Sequence, residues 1–205
     1  MTSGLFTFMV GGGVNVFGGP SSGTQYSLED ACPTCGAGAV QRGPLLLRPF
    51  KLPKAELFRL LTGEILASPR IADVLRGSGI QRCIRGVLNA KTRESLAAVQ
   101  LVAEATLPRF TSQSTGVTRE RPCPGCDRDG FFGIPHVPMI LKYRNLGPFS
   151  ADLFATYERF GNSRLRSPFA ESTLASPMYV GSDRLVDALR AQKIKGLSFE
   201  PVEFL

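Results

Sequence analysis

The chain has 205 residues, with 24 Lys+Arg against 17 Asp+Glu and a net charge of +7. Hydrophobic residues at 43% and charged residues at 20% make an ordinary globular balance, and a chain of this size can bury a proper core without staples. No stretch is long and apolar enough to span a membrane, and the arginines are scattered rather than run together, which argues against a disordered nucleic-acid arm.

Phe6, Phe8 and Val10 alternate with small or polar residues and predict a half-buried strand, with Val14 to Phe17 as its hairpin partner across Gly11, Gly12 and Gly13. No Lys or Arg precedes this segment, so it is read as retained structure rather than a signal peptide. A cytoplasmic chain with reduced thiols is the expectation. Gly18 to Gly23 reads as a loop, and Leu45 to Phe50 as a short strand. Over Lys54 to Leu66, the residues Leu57, Phe58, Leu60, Leu61 and Ile65 share one broad face and predict a helix. Ser68 is an N-cap and Pro69 a first helical residue, with Gly77 or Gly79 as the stop. Strands are predicted over Ile80 to Leu88 and over Leu96 to Ala105, the latter with helix as the alternative.

Phe110 to Arg121 is polar and reads as a loop, and the proline-bearing stretch Phe131 to Pro148 as a surface wrap. Leu153 to Tyr157 predicts a strand, Asn162 to Ser176 a Ser/Arg-rich loop, and Met178 to Val180 a short strand. Ser182 caps a helix running to about Gln192, and Leu197 to Phe204 closes the chain as a strand. Residues 68–80, SPRIADVLRGSGI, align without a gap on residues 182–194, SDRLVDALRAQKI. Ser, Arg, Asp, Leu, Arg and Ile coincide, as Ser68/Ser182, Arg70/Arg184, Asp73/Asp187, Leu75/Leu189, Arg76/Arg190 and Ile80/Ile194. Each segment follows a cysteine pair, so either the halves 1–110 and 111–205 repeat a knuckle-helix-strand unit, or two unrelated amphipathic helices share a cap. The fold predicted is a single α+β domain over residues 1–205, with mixed and antiparallel sheets and a few helices.

Four of the five cysteines stand in two pairs of one form, Cys32-Pro-Thr-Cys35-Gly36 and Cys123-Pro-Gly-Cys126-Asp127. A Cys-x-x-Cys turn sets two sulfurs on one side of a tight loop, and two such turns supply the four soft ligands of a tetrahedral zinc ion. The 87 residues between Cys35 and Cys123 mean that the fold must assemble the site. Redox dithiols, disulfides and degenerate pairs are the alternatives. The first normally opens a helix, which Gly-Ala-Gly-Ala and Asp-Arg-Asp-Gly do poorly, and a reducing compartment disfavours the second. A closed site with four thiolates leaves no position for water or substrate, so its role is structural. Cys83, in an apolar strand, reads as a core residue.

No catalytic set emerges. His136 is the only histidine, between Pro135 and Val137, and reads as a packed or surface imidazole. The glycine run at 11–13 is not followed by Gly-Lys-Ser/Thr and is no phosphate loop. Glu29, Asp30, Asp127 and Asp129 read as solvated loop charges beside the knuckles.

The two distant Cys-Pro-x-Cys knuckles, followed by the C-terminal strand, SDRLVDAL and IKGLSFEPV, resemble the double-CxxCG family, numerous in myxobacteria, which includes immunity proteins of contact-dependent toxin systems. The resemblance covers the knuckles and roughly residues 152–204, and Asp127 departs from the second CxxCG. It implies a non-catalytic protein that binds and neutralises one cognate toxin, with Cys32, Cys35, Cys123 and Cys126 as ligands of a structural Zn2+. A net positive exterior suits a toxin with an acidic face, and Arg159, Arg164 and Arg166 are the candidate contacts. The alternative is a zinc-containing nucleic-acid-binding or regulatory protein.

Overall fold

The computed structural model describes residues 4–11, 13, 14, 16, 18–144, 149–161 and 175–205. The first half contributes strands β1 (Leu5–Val10), β2 (Gly13–Val14), β3 (Gln25–Ser27), β4 (Val40–Arg42), β5 (Leu45–Leu47), β6 (Leu57–Leu60) and β7 (Ile65–Ala67), then helix α1 (Pro69–Gly77), then β8 (Ile84–Asn89), β9 (Ser95–Leu101) and β10 (Ala105–Thr106). The second contributes β11 (Val117–Arg119), β12 (Phe131–Gly133), β13 (Lys142–Tyr143), β14 (Leu153–Phe160), β15 (Ser176–Ser182), α2 (Asp183–Arg190), β16 (Leu197–Pro201) and β17 (Glu203–Phe204). This is an α+β fold with mixed sheets and, among the described residues, two α-helices. Neither helix is long and apolar enough to cross a membrane.

Two large sheets carry the fold. One runs β11-β12-β14-β15-β1-β16, with β10 also on β14, and the other runs β2-β6-β7-β9-β8-β5. Five consecutive strands of each pair in the same sense. In the first sheet β12 is parallel to β14, and β14-β15, β15-β1 and β1-β16 are antiparallel. In the second β2 is parallel to β6, and β6-β7, β7-β9 and β9-β8 are antiparallel. The internal similarity of the sequence therefore has a counterpart in topology. The boundary at residue 110 is nonetheless crossed, because β1 comes from the first half yet completes the sheet of the second.

The likeness reaches single hydrogen bonds. Ser68 caps α1 by accepting from the Ile71 N–H, and Ser182 caps α2 by accepting from the Leu185 N–H, both at 3.3 Å. The Ser68 N–H donates to the Glu56 carbonyl and the Ser182 N–H to the Asp152 carbonyl, both at 2.9 Å. Each serine hydroxyl donates to the side chain of that same acid, which also pairs with the arginine two positions after the serine, Arg70 or Arg184. The residues buried on α1 are Ile71, Ala72 and Leu75, and those on α2 are Leu185, Val186 and Leu189, three matching positions. Ser68→Ala and Ser182→Ala are each expected to cost about 0.5–2 kcal/mol, the usual value of an N-cap, and by nearly the same amount. Urea unfolding of the two variants checks this, and a cost confined to one of them would break the equivalence.

The central core lies between the sheets and both helices, with Phe8, Leu57, Ile65, Ile71, Leu75, Leu101, Leu153, Leu185 and Leu189 among its members. Cys83 sits in it with no exposure, a core residue as read from sequence. Each sheet covers a second cluster on its far face: Leu45, Leu47, Phe58, Leu60, Leu66 and Val87 on one, Leu5, Leu141, Tyr143, Phe154 and Val180 on the other.

These double-faced sheets explain where the sequence reading fails. Lys54 to Leu66 is no helix. β6 and β7 form a hairpin through Thr62 and Gly63, in register Leu57↔Ala67 and Phe58↔Leu66. Leu57 faces the central core while Phe58 and Leu60 face the other cluster, so apolar residues follow one another and imitate a helical face. Gly63, at φ +97°, closes the turn, and a Cβ there would meet Ser176 at 2.4 Å. Val14 does not return as a hairpin on β1, since β2 pairs in parallel with β6. Phe110 to Arg121 is not wholly loop, since β11 pairs with β12. Phe131 to Pro148 is only partly a surface wrap, because Leu141 and Tyr143 are fully buried and β13 pairs with β17. The loop predicted from Asn162 lies outside the described residues up to 174, and Ser176 already belongs to β15.

Candidate metal centre

Cys32 and Cys35 stand in the loop between β3 and β4, and Cys123 and Cys126 in the loop between β11 and β12. The fold brings the two loops together. All four sulfurs lie within 4.8 Å of one another, with Cys32 Sγ 3.8 Å from Cys123 Sγ and Cys35 Sγ 3.4 Å from Cys126 Sγ. A tetrahedral ion with bonds of about 2.3 Å sets sulfurs roughly 3.8 Å apart, whereas a disulfide needs about 2.05 Å. Cys32, Cys35 and Cys123 are buried and Cys126 is half-buried. The four can hold one metal ion, and the site is closed by protein on most sides.

The two turns have the same local structure. The Gly36 N–H donates to the Cys32 carbonyl at 2.8 Å, and the Asp127 N–H to the Cys123 carbonyl at 2.9 Å. Gly36 has φ +71° and Asp127 φ +60°. Asp127 thus takes the left-handed conformation that glycine takes in the first knuckle, one that Asp tolerates better than most residues. Its side chain accepts from Arg119, whose Nη2 also donates to the Asp127 carbonyl at 2.7 Å. Gly125 serves another purpose, the contact between knuckles: a Cβ there would lie 2.8 Å from Thr34 Oγ1 and 3.1 Å from Cys32 Sγ.

The first residue of each knuckle is anchored through its amide. The Cys32 N–H donates to the Ala37 carbonyl at 2.8 Å, and the Cys123 N–H to Asp129 Oδ1 at 2.5 Å. Asp129 is 1% exposed, so it is not the solvated loop charge that its sequence suggests. Its place three residues after Cys126 was the available signal, since a short acid just beyond a tight turn can reach back to an amide.

Burial works against thiolates here, yet it is outweighed at Cys32. There the Cys35 and Thr34 backbone N–H groups and the neighbouring thiols hold the thiol down at about 7. Burial pushes Cys35 and Cys126 up. One thiolate is easily formed and four are not, unless a cation sits among them. Four buried sulfurs at this spacing are the donor set of a soft or borderline metal.

Of the other residues singled out in the sequence, Arg159 is half-buried in β14, and its Nε donates to the Ala175 carbonyl at 2.6 Å. Arg164 and Arg166 lie outside the described residues. His136 is exposed, at φ +64°, far in character from a ligand set. A basic and aromatic face adjoins the second knuckle: the Arg128 guanidinium lies 4.1 Å and that of Arg109 4.9 Å from the Tyr157 ring centre, and Arg119 lies over Phe131.

Behind this face Glu158 is 4% exposed. Its Oε1 accepts from the Phe110 N–H, while its Oε2 and the Tyr143 hydroxyl have no hydrogen-bond partner among the described residues. Burial raises its carboxyl from the ordinary 4.5 to about 7. A raised acid stabilises the fold fully below its unfolded value, and that stability is lost as pH climbs towards the folded value. The protein is therefore expected to lose up to about 3 kcal/mol between pH 4.5 and about 7 through this group. Glu158→Gln should flatten that slope, read by urea unfolding across the same range. An unchanged slope would assign the pH dependence elsewhere.

Comparison with protein families, curated proteins and solved structures finds no match to this chain.

Proposed function

We propose that the chain is an immunity protein: it binds one cognate antibacterial toxin in the cytoplasm and neutralises it, on a scaffold held by a structural zinc ion. The observation that carries this reading is the gathering of Cys32, Cys35, Cys123 and Cys126 into one closed set of four sulfurs. Such a set leaves no open coordination position for a reaction, and it clamps two loops 87 residues apart in the chain. Zinc is the ion that buried tetrahedral thiolates take most readily in a reducing compartment. The paired Cys-Pro-x-Cys turns, now matched in backbone as well as sequence, support the resemblance to double-CxxCG immunity proteins. The face of Arg109, Arg119 and Arg128 suits an acidic partner, where charge steers association.

Co-expression with the neighbouring gene's toxin should restore growth, and the two proteins should purify as a one-to-one complex. A toxin that still kills in the presence of this chain defeats the reading. The same basic face supports a second reading, binding of DNA or RNA. That reading demands an affinity that falls steeply with salt, and a flat mobility-shift titration at low salt removes it.

A further inference from the structure

A cavity of about 250 Å3 lies where the two large sheets meet the first knuckle loop. Its walls come from both halves of the chain. Glu64 stands in the turn between β6 and β7 and Gln100 in β9, Arg159 and Tyr179 in the sheet built around β14 and β15, and Tyr26 in β3. Neither the metal centre nor the basic face uses these side chains.

The charges in this cavity are arranged unusually. Glu64 and Arg159 both line it, and the charges of Arg59 and Arg159 both act on Glu64, yet no ion pair joins Glu64 to either among the described residues. Glu64 accepts from the Thr62 hydroxyl, and Arg59 donates to Ser176 rather than to the acid. Arg159 spends its Nε on the Ala175 carbonyl, and of the acids it is Asp129, outside the cavity lining, whose charge acts on it. Burial raises the Glu64 carboxyl and lowers the Arg159 guanidinium, the mark of charged groups that have lost water without gaining each other. The strand geometry sets this up. The β14-β15 register shifts between Ala155 and Arg159, a bulge of the kind that re-aims side chains at sites. Gln41 and Gln100 bond to each other through both amides at 2.9 Å and so close one wall without offering a free group.

We propose that this cavity binds a small zwitterion of α-amino-acid size, its carboxylate on Arg159 and its ammonium on Glu64. The volume falls just below the roughly 300–1,000 Å3 of sites for drug-sized ligands, which suits a free amino acid and is too small for a nucleotide. A zwitterion meets both charges that line the cavity at once, which neither a simple anion nor a simple cation does. Val102, Ala103 and Ala155 give the apolar part of the wall for a side chain. The proposal is independent of the toxin reading and of the identity of the metal.

The test uses the purified, metal-loaded full chain and a panel of the twenty common L-amino acids, read by saturation-transfer NMR. At least one amino acid should bind saturably with a Kd below about 1 mM. Glu64→Gln and Arg159→Met should each weaken that binding at least tenfold while the metal content stays at one per chain. Ala103→Met, which fills the cavity from its wall without touching either charge, should abolish it even if a charge variant fails to fold. Absence of saturable binding across the panel overturns the proposal, as does binding that survives Ala103→Met.

Discussion

Replacing Cys123 by serine is expected to abolish stoichiometric metal binding and to lower stability by about 4 kcal/mol or more, among the largest effects a single substitution has. Two costs add. A hydroxyl is a poor ligand for a soft site, so the ion is lost or held far more weakly. The remaining three thiols are then packed together without a cation, within 4.8 Å in the native arrangement, with Cys35 and Cys126 already disfavoured as thiolates by burial. For a chain of this size the melting temperature should fall by about 10 °C or more. Elemental analysis of the parent protein should return one zinc per chain, and a strong chelator should reproduce the effect of the substitution. Parent protein that is free of metal and equally stable would remove the structural ion and weaken the immunity reading with it.

Leu185→Ala is expected to cost about 2–5 kcal/mol, read as a shift of the urea midpoint at constant slope. Leu185 has no exposed surface and lies in the central core, where α2 meets α1 and both large sheets. The core there has little freedom to collapse into the space left, because Leu185 shares it with buried residues of both large sheets and of α1. The matching position of α1 is Ile71, also with no exposure, and its truncation should cost a similar amount. A loss well under 1 kcal/mol at Leu185 would mean that the two halves are held mainly by the knuckles rather than by this shared core.

How much of this was legible in the sequence depends on the range over which each feature is determined. The cysteine pairs were legible because ligand chemistry is written in residue type and short spacing. Both helix starts were legible for the same reason, since Ser68 and Ser182 act on amides three residues away. The hairpin of Leu57 to Ala67 was not. Its strands are covered on both faces, so the alternation that marks a strand is missing, and the covering layers come from distant parts of the chain. The strand character of β1 was visible in Phe6, Phe8 and Val10, but not its partners β15 and β16. The burial of Asp129 was equally hidden, for an acid in a Gly-rich loop looks solvated until the knuckle folds over it. Asp127 was visible as a departure from glycine, and only the backbone angle reveals that the turn is unchanged.

The pairing of β1 bears on how the chain emerges from a ribosome. Leu5–Val10 is made well before its neighbours, residues 179–182 and 197–201. Until those residues follow, this apolar strand has two open edges, a hazard for association with other nascent chains. Cys32 and Cys35 wait likewise for Cys126 before a full ligand set exists. The sheet around β1 and the four-cysteine set are thus both completed only by distant downstream residues, and nascent chains stalled between β1 and α2 are the species on which chaperones should be found.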